Sequence, residues 1–437
     1  MRFWFSFLLG SVLLLSGNAF AQDHQHGAGP QPPAAEQHQH EHTAAAPSLF
    51  TANEGSGTAW LPATTDMYAL HGRAGSWELM WHGNAFLQYL HEDANEHRGS
   101  SQTGSINWLM VMGRREVGQA RVGLRAMISL EPATIGGCGY PDLLATGELC
   151  DGDSIHDRQH PHDFLMELAG DYDRPLRGHM RWQLYGGLAG EPALGPVAFP
   201  HRPSAMPNPI APIGHHWLDA THIAFGVVTA GVFTSRWKAE GSVFNGREPD
   251  EDRWDLDLAA LNSFSGRFSF APTADFVLQV SAGHLTDAEP GEGTLPRKDV
   301  DRVTASVIYQ RRFGTGNMWA NTIAWGRNEE VGIASHAFLA ETSVTLAERD
   351  VWFGRFEIGG KPAHDLHIHE LFNEVLTVGK LQGGYTRYLA TAYGLRLGVG
   401  GELSAGFVPK TIEPQYGSRA NLGVGFFVTV RPGPHRM

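Results

Sequence analysis

The chain has 437 residues, a formal net charge of −13 at pH 7 and only 18% charged residues. That acidic balance excludes a general nucleic-acid binder. With 53 glycines and 10% aromatic residues, the composition suits closely spaced strands better than helices; one closed sheet can absorb a length that otherwise suggests several domains.

The first elements read as export and tail. Arg2 gives a positive start, Phe3 to Leu15 a short apolar core, and Ala19-Phe20-Ala21 a small-x-small cleavage site. Residues 1–21 are therefore expected to be a signal peptide, and the mature chain to begin at Gln22. The apolar run is shorter than the roughly 20 residues of a membrane-spanning helix, and no later run is long enough. Residues 22–74, rich in Gln, Ala, Pro and His, are expected to be a disordered periplasmic segment. They carry His24, His26, His38, His40 and His42. Imidazole suits copper, zinc and nickel, so this tail reads either as an ion-capturing segment or as a polar spacer.

From Ser76 the pattern alternates apolar and polar in runs of about ten residues, the length of a tilted membrane strand. The expected strands are 76–91, 105–114, 118–131, 162–173, 178–190, 219–230, 235–246, 259–271, 274–286, 300–313, 317–327, 336–347, 350–360, 373–389, 391–408 and 419–431. In the run from Tyr393 to Phe407, Leu395, Leu397, Val399 and Leu403 oppose Arg396, Gly398, Gly400 and Glu402. Connections alternate short and long, the long ones near 92–104, 132–161, 191–218, 247–258, 287–299, 328–335, 361–372 and 409–418, which places them all at one rim of an up-and-down sheet. The expected fold is all-β: a transmembrane antiparallel up-and-down β-barrel of about 16 strands over residues 75–431, with a C-terminal tail at 432–437. Trp77, Trp81, Trp108, Trp182, Trp237 and Trp319 are candidates for aromatic girdles.

Inward-facing charges are mixed: Arg121, Arg125, Arg181, Lys238, Arg302 and Arg396 with Glu167, Glu240 and Glu402. They could set a field across an aqueous channel or pair across the lumen. The second long connection carries His156, His160, His162 and Asp163. The third ends in His215, His216, Asp219 and His222. A later one carries His364, Asp365, His367 and His369. Neutral imidazoles and carboxylates at such spacings could hold a divalent cation or pin loops to the wall. Cys138 and Cys150, the only cysteines, suggest one disulfide in an oxidising compartment, with a metal pair as the rival. No Gly-x-Ser-x-Gly elbow or Ser–His–Asp grouping stands out, so the chain does not read as an enzyme.

In plan (signal, a tail with His24, His26, His38, His40 and His42, then strands) the chain resembles barrels of heavy-metal resistance systems, notably the copper resistance protein B family. The segment from Arg236 to Asp257, with Glu248-Pro-Asp-Glu-Asp-Arg-Trp-Asp, looks like exported barrels of similar length. The resemblance implies an outer-membrane location and a role in divalent metal handling. The combined expectation is a channel or porin-like barrel in the bacterial outer membrane. Its partners would be lipid and small solutes or metal ions, copper or zinc being the ions its histidines suit, and it could form a homo-oligomer. The alternatives are a non-conducting structural or ligand-binding barrel and an outer-membrane hydrolase.

Overall fold

Alternation with a period of two puts apolar side chains on one face of each strand and polar ones on the other, and a sheet so divided can close around its polar face. In the computed structural model, which describes residues 48–435 except 52, 96, 290–295, 372 and 373, it does so with sixteen antiparallel strands. They are β1 Trp77–Glu92, β2 Ser100–Val117, β3 Ala120–Ile128, β4 Leu165–Arg177, β5 Met180–Ala189, β6 Val227–Phe233, β7 Trp237–Phe244, β8 Ser263–Phe270, β9 Phe276–Glu289, β10 Lys298–Phe313, β11 Asn317–Glu330, β12 Ile333–Leu346, β13 Asp350–Pro362, β14 Val375–Ala392, β15 Leu395–Phe407 and β16 Ala420–Pro432. Each pairs with its neighbour in sequence, and β16 closes on β1 from Gly423↔Glu92 to Val430↔Ala85. Beyond that point the free edge of β1 is taken by a short strand, Leu70–Ala74.

The outer face is apolar and exposed along whole strands, with Leu87, Phe264, Ile323, Leu403, Leu422 and Phe426 among its members. The inner face buries Arg, Lys, Glu, Gln, Ser and Thr. Closure satisfies every strand's backbone groups within the sheet, which a hydrocarbon environment requires.

Several expectations change. The strand expected at 219–230 begins at Val227 because 219–226 belongs to a segment turned into the barrel. The long connection near 328–335 shrinks to a two-residue turn at Val331 and Gly332, both with positive φ, because β11 and β12 pair out to Glu330↔Ile333. Tyr393 sits in a turn with Gly394 rather than on a strand face. Trp108 points inward and packs against the His82 and His201 rings, so it is no girdle residue. In the tail, Pro434–His435 pairs with Met67–Tyr68.

The largest change concerns residues 48–74. They are not a disordered segment: the chain enters the lumen at the rim of short turns and is held there by the inward-facing charges. Glu78 accepts hydrogen bonds from Ser48 Oγ at 2.5 Å and the Leu49 amide at 2.9 Å. Arg114 pairs with Glu54 at 2.5 Å, Arg125 donates to the Gly57 carbonyl at 2.6 Å, and Lys238 donates to the Thr58 carbonyl. A segment too polar to fold alone finds in the wall the partners that water would otherwise supply. The signal peptide and His24, His26, His38, His40 and His42 lie outside the described residues.

Candidate functional site

The connection from β5 to β6, residues 190–226, folds into the barrel. It carries seven prolines between Pro192 and Pro212. Each proline removes one backbone donor, so irregular chain can be buried with fewer unmet hydrogen bonds. Turns within the loop serve some of the remaining groups, and wall side chains serve others. Ser242 Oγ accepts from the Ala193 amide at 2.7 Å, Ser281 Oγ from Gly195 at 2.9 Å and Glu357 from Gly214 at 2.9 Å. Arg355 donates to the Ile210 carbonyl and Asn328 to that of His216, at 2.8 and 3.0 Å. At the centre Arg202, fully buried, donates to Glu341 on β12 at 2.8 Å and to Asp219 of its own loop at 2.9 Å.

The connection from β3 to β4 lies at the same long-loop rim. It forms a hairpin, Tyr140–Cys150 with Asp153–Gln159, whose first strand is closed into a loop by the Cys138–Cys150 disulfide. Lys380 on β14 ties it to the wall, reaching Asp142 and Glu92 at 2.7 Å each. Arg98 does the same from the first connection, pairing with Asp157 at 2.7 Å.

These two connections bring five of the expected histidines together inside the barrel. The ring centroids of His215 lie 5.1 Å from His222, 5.7 Å from His216 and 6.3 Å from His160, and those of His162 and His222 lie 5.3 Å apart. Acceptors orient the rings. His215 Nδ1 bonds Asp219 Oδ1 at 2.8 Å, His162 Nδ1 bonds Glu131 at 2.9 Å, and His222 Nδ1 donates to the Asp219 carbonyl at 2.8 Å. Fixing one nitrogen this way directs the other at whatever the ring is to bind; the buried Nε2 atoms of His216 and His222 have no hydrogen-bond partner among the described residues. Burial pushes the His215 and His222 imidazoles below their ordinary range, which keeps them neutral and able to coordinate. For His162 burial acts in the same direction, but Glu131 beside it wins and raises its pKa. Asp219 is held well below the usual carboxylate range despite its burial, by Arg202 and then His215.

His156 does not join this group. It bonds Asp157 at 2.7 Å and its ring lies 5.1 Å from that of His367, the residue of the later connection. The inward charges pair rather than face an open channel. Arg121 meets Asp173 at 2.9 Å and Arg125 meets Asp171 at 3.3 Å and Glu167 at 3.8 Å; Arg181 also meets Asp173. Arg267 meets Glu240 at 3.0 Å, Lys238 lies 3.7 Å from the same carboxylate, and Arg302 donates to Asn328 at 2.9 Å. Arg396 lies over the Tyr388 ring, and Glu402 is buried on the same face.

Sequence reading missed His201, Glu131 and Arg202, and it missed the methionines beside them. Register sets Met80 opposite Met112 and His82 opposite Met110 on β1 and β2, and Met110 opposite Met127 on β3. The His82 and His201 rings lie 5.5 Å apart beside them. A methionine on an alternating strand reads as apolar filling, so only the inward parity of His82 pointed here. The cavities narrow through this region. One of about 470 Å³ at the short-turn rim is lined by Glu54, Arg114, Arg125 and Lys238. The next, about 80 Å³, is lined by the methionines, His82 and His201. The last, about 20 Å³ between Glu191, His201 and His222, has room for about one water. Of the two readings of the lumen, an aqueous channel or charges engaged across it, the inserted segments bonded to the wall favour the second.

No family model matches the chain, and no curated protein is similar to it. Solved structures do match. OmpF of Salmonella typhi, in complex with daunomycin, shares 7% identity over 83% of this chain and 100% of its own, with a TM-score of 0.50. OprB of Pseudomonas putida shares 8% over 81% and 94% (TM-score 0.47), and an anion-selective porin from Comamonas acidovorans 10% over 82% and 99% (TM-score 0.46). At these identities the likeness is one of fold alone: a closed antiparallel barrel of sixteen strands.

Proposed function

We propose that this protein is a channel-type barrel of the outer membrane that handles divalent metal ions, copper or zinc, at imidazoles inside its lumen. The observation that carries the reading is the convergence of His160, His162, His215, His216 and His222 on one buried place, from two connections with no sequence contact. His215 and His222 among them are held neutral and oriented by acceptors, the state in which an imidazole coordinates a metal. A cavity beside His222 with room for about one water cannot hold a hydrated solute, but it can hold an ion that exchanges water for nitrogen. The methionines beside His82 and His201 continue the donors toward the short-turn rim, and thioethers favour copper. The tail histidines His24, His26, His38, His40 and His42 would capture ions on the periplasmic side once the signal is cleaved.

The test is calorimetric titration of the full mature protein with copper and zinc, beside planar-bilayer conductance. Binding weakened at least tenfold in a His162→Ala, His222→Ala variant, with an ion-dependent current in the parent, is the expected result. Equal binding by both proteins would remove the lumenal histidine cluster as the site. The filled lumen also favours a closed, non-conducting binding barrel; metal binding without any current would select that reading.

A further inference from the structure

A second group of donors shares His216 with this cluster and takes its two carboxylates from other elements. His216 stands in the short helix His215–Leu218 of the inserted loop. Glu248 lies in the connection from β7 to β8, and Glu289 ends β9. One ligand atom from each falls within 4.8 Å of the other two. Glu248 Oε1 lies 3.3 Å from His216 Nδ1. The three are set by separate backbone ties. The His216 carbonyl accepts from Asn328 at 3.0 Å, the Glu248 amide donates to the Ala288 carbonyl at 3.1 Å, and Glu289 keeps its ladder position opposite Lys298. His216 is 6% exposed, and its Nε2 is buried without a hydrogen-bond partner among the described residues.

We infer that His216, Glu248 and Glu289 form a binding site for one divalent first-row cation of borderline hardness, of the zinc class, at the long-loop end of the lumen. Two carboxylates brought together beside a buried imidazole repel one another unless a proton or a cation lies between them. The nearby cations are engaged elsewhere. Lys298 contacts His364 at 3.2 Å and Glu330 at 3.9 Å, and Arg297 gives its Nε to the Asp287 carbonyl at 2.7 Å. Arg302, close enough to feel both carboxylates, points its Nε at Asn328 at 2.9 Å. One nitrogen and two oxygens leave positions open for water or a further donor, the pattern of a site that exchanges its ion rather than locking it in. The ring of His160 is 6.1 Å from that of His216, so an ion released here is next to the histidine cluster. The inference deepens the metal-handling reading and rests on it for its role.

The experiment uses the full mature chain with cobalt(II) as the probe, reading both stoichiometry and the visible absorption of the bound ion. Glu248→Gln and Glu289→Gln are each expected to lose one bound ion, or to bind it at least tenfold more weakly. Asp252→Asn, a change at an exposed acid of the same connection, should bind like the parent, and so should the His162→Ala, His222→Ala protein at this site. Wild-type stoichiometry and spectrum in both glutamine variants would overturn the site while leaving the histidine cluster standing. An equal loss in Asp252→Asn would overturn it too, as non-specific acidity. Absence of binding to the parent would remove both readings.

Discussion

Arg202 lies fully buried between Asp219 and Glu341, and Arg355 meets Glu341 from the next strand at 2.8 Å. Removing one partner of such a group leaves buried charge uncompensated, at a cost of about 3–5 kcal/mol. Arg202→Ala is expected to release the inserted loop, lower the denaturation midpoint in detergent and raise single-channel conductance; unchanged conductance would show that the loop is held elsewhere. Glu191, at the start of the same loop, has its pKa pushed up to about 8 by burial, with Arg267 opposing. An acid that holds its proton more tightly when folded favours the fold most below its unfolded pKa of about 4.3 and loses that contribution as pH rises toward the folded value. Glu191→Gln should therefore be more stable than the parent above neutral pH and equal to it near pH 4, in thermal melts across that range. Both residues were invisible to sequence reading. A lone Arg between prolines and a Glu after a strand carry no spacing signal, since their partners are 139 and 76 positions away. The histidines were legible as residues, but their grouping was not: His156 and His160 are four apart and part company on opposite sides of a hairpin.

At the scale of elements, strand parity was the strongest signal. One face of each strand must meet lipid and the other a polar interior, which fixes a period of two over the whole span. Phe426, on the outer face of β16 opposite Gly401, tests this parity. Phe426→Arg should cost about 2–4 kcal/mol in urea titrations of the protein folded into vesicles; a change of a few tenths would mean that the face does not meet hydrocarbon. The inserted loop follows no period, because its backbone is served by side chains of the wall rather than by a ladder. Its position depends on close approaches. Gly195 has φ +84° and a Cβ there would lie 2.1 Å from the Leu218 carbonyl oxygen, while one on Gly326 of β11 would lie 2.3 Å from that of Trp217. Gly195→Ala is expected to shift the loop's base at a cost of about 1–3 kcal/mol. Chymotrypsin should then cut within 190–226, after Trp217 or Leu218, where the parent resists.

For the molecule as a whole, the lumen is a set of paired charges closed by three insertions, of which the first comes from residues 48–69. Deleting 48–66 should leave a barrel that still migrates as a folded, heat-modifiable species but conducts more than the parent at the same voltage. Equal currents would place the main constriction in the loop alone. The same segment has a bearing on how the molecule is made. The wall closes only where the last long strand, β16, meets β1, and the rest of the β1 edge is covered by Leu70–Ala74, directly after the lodged segment. The two ends of the chain are therefore tied to one seam: a product truncated before Ala420 would leave the β1 edge from Ala85 to Glu92 open however well the rest of the wall had formed.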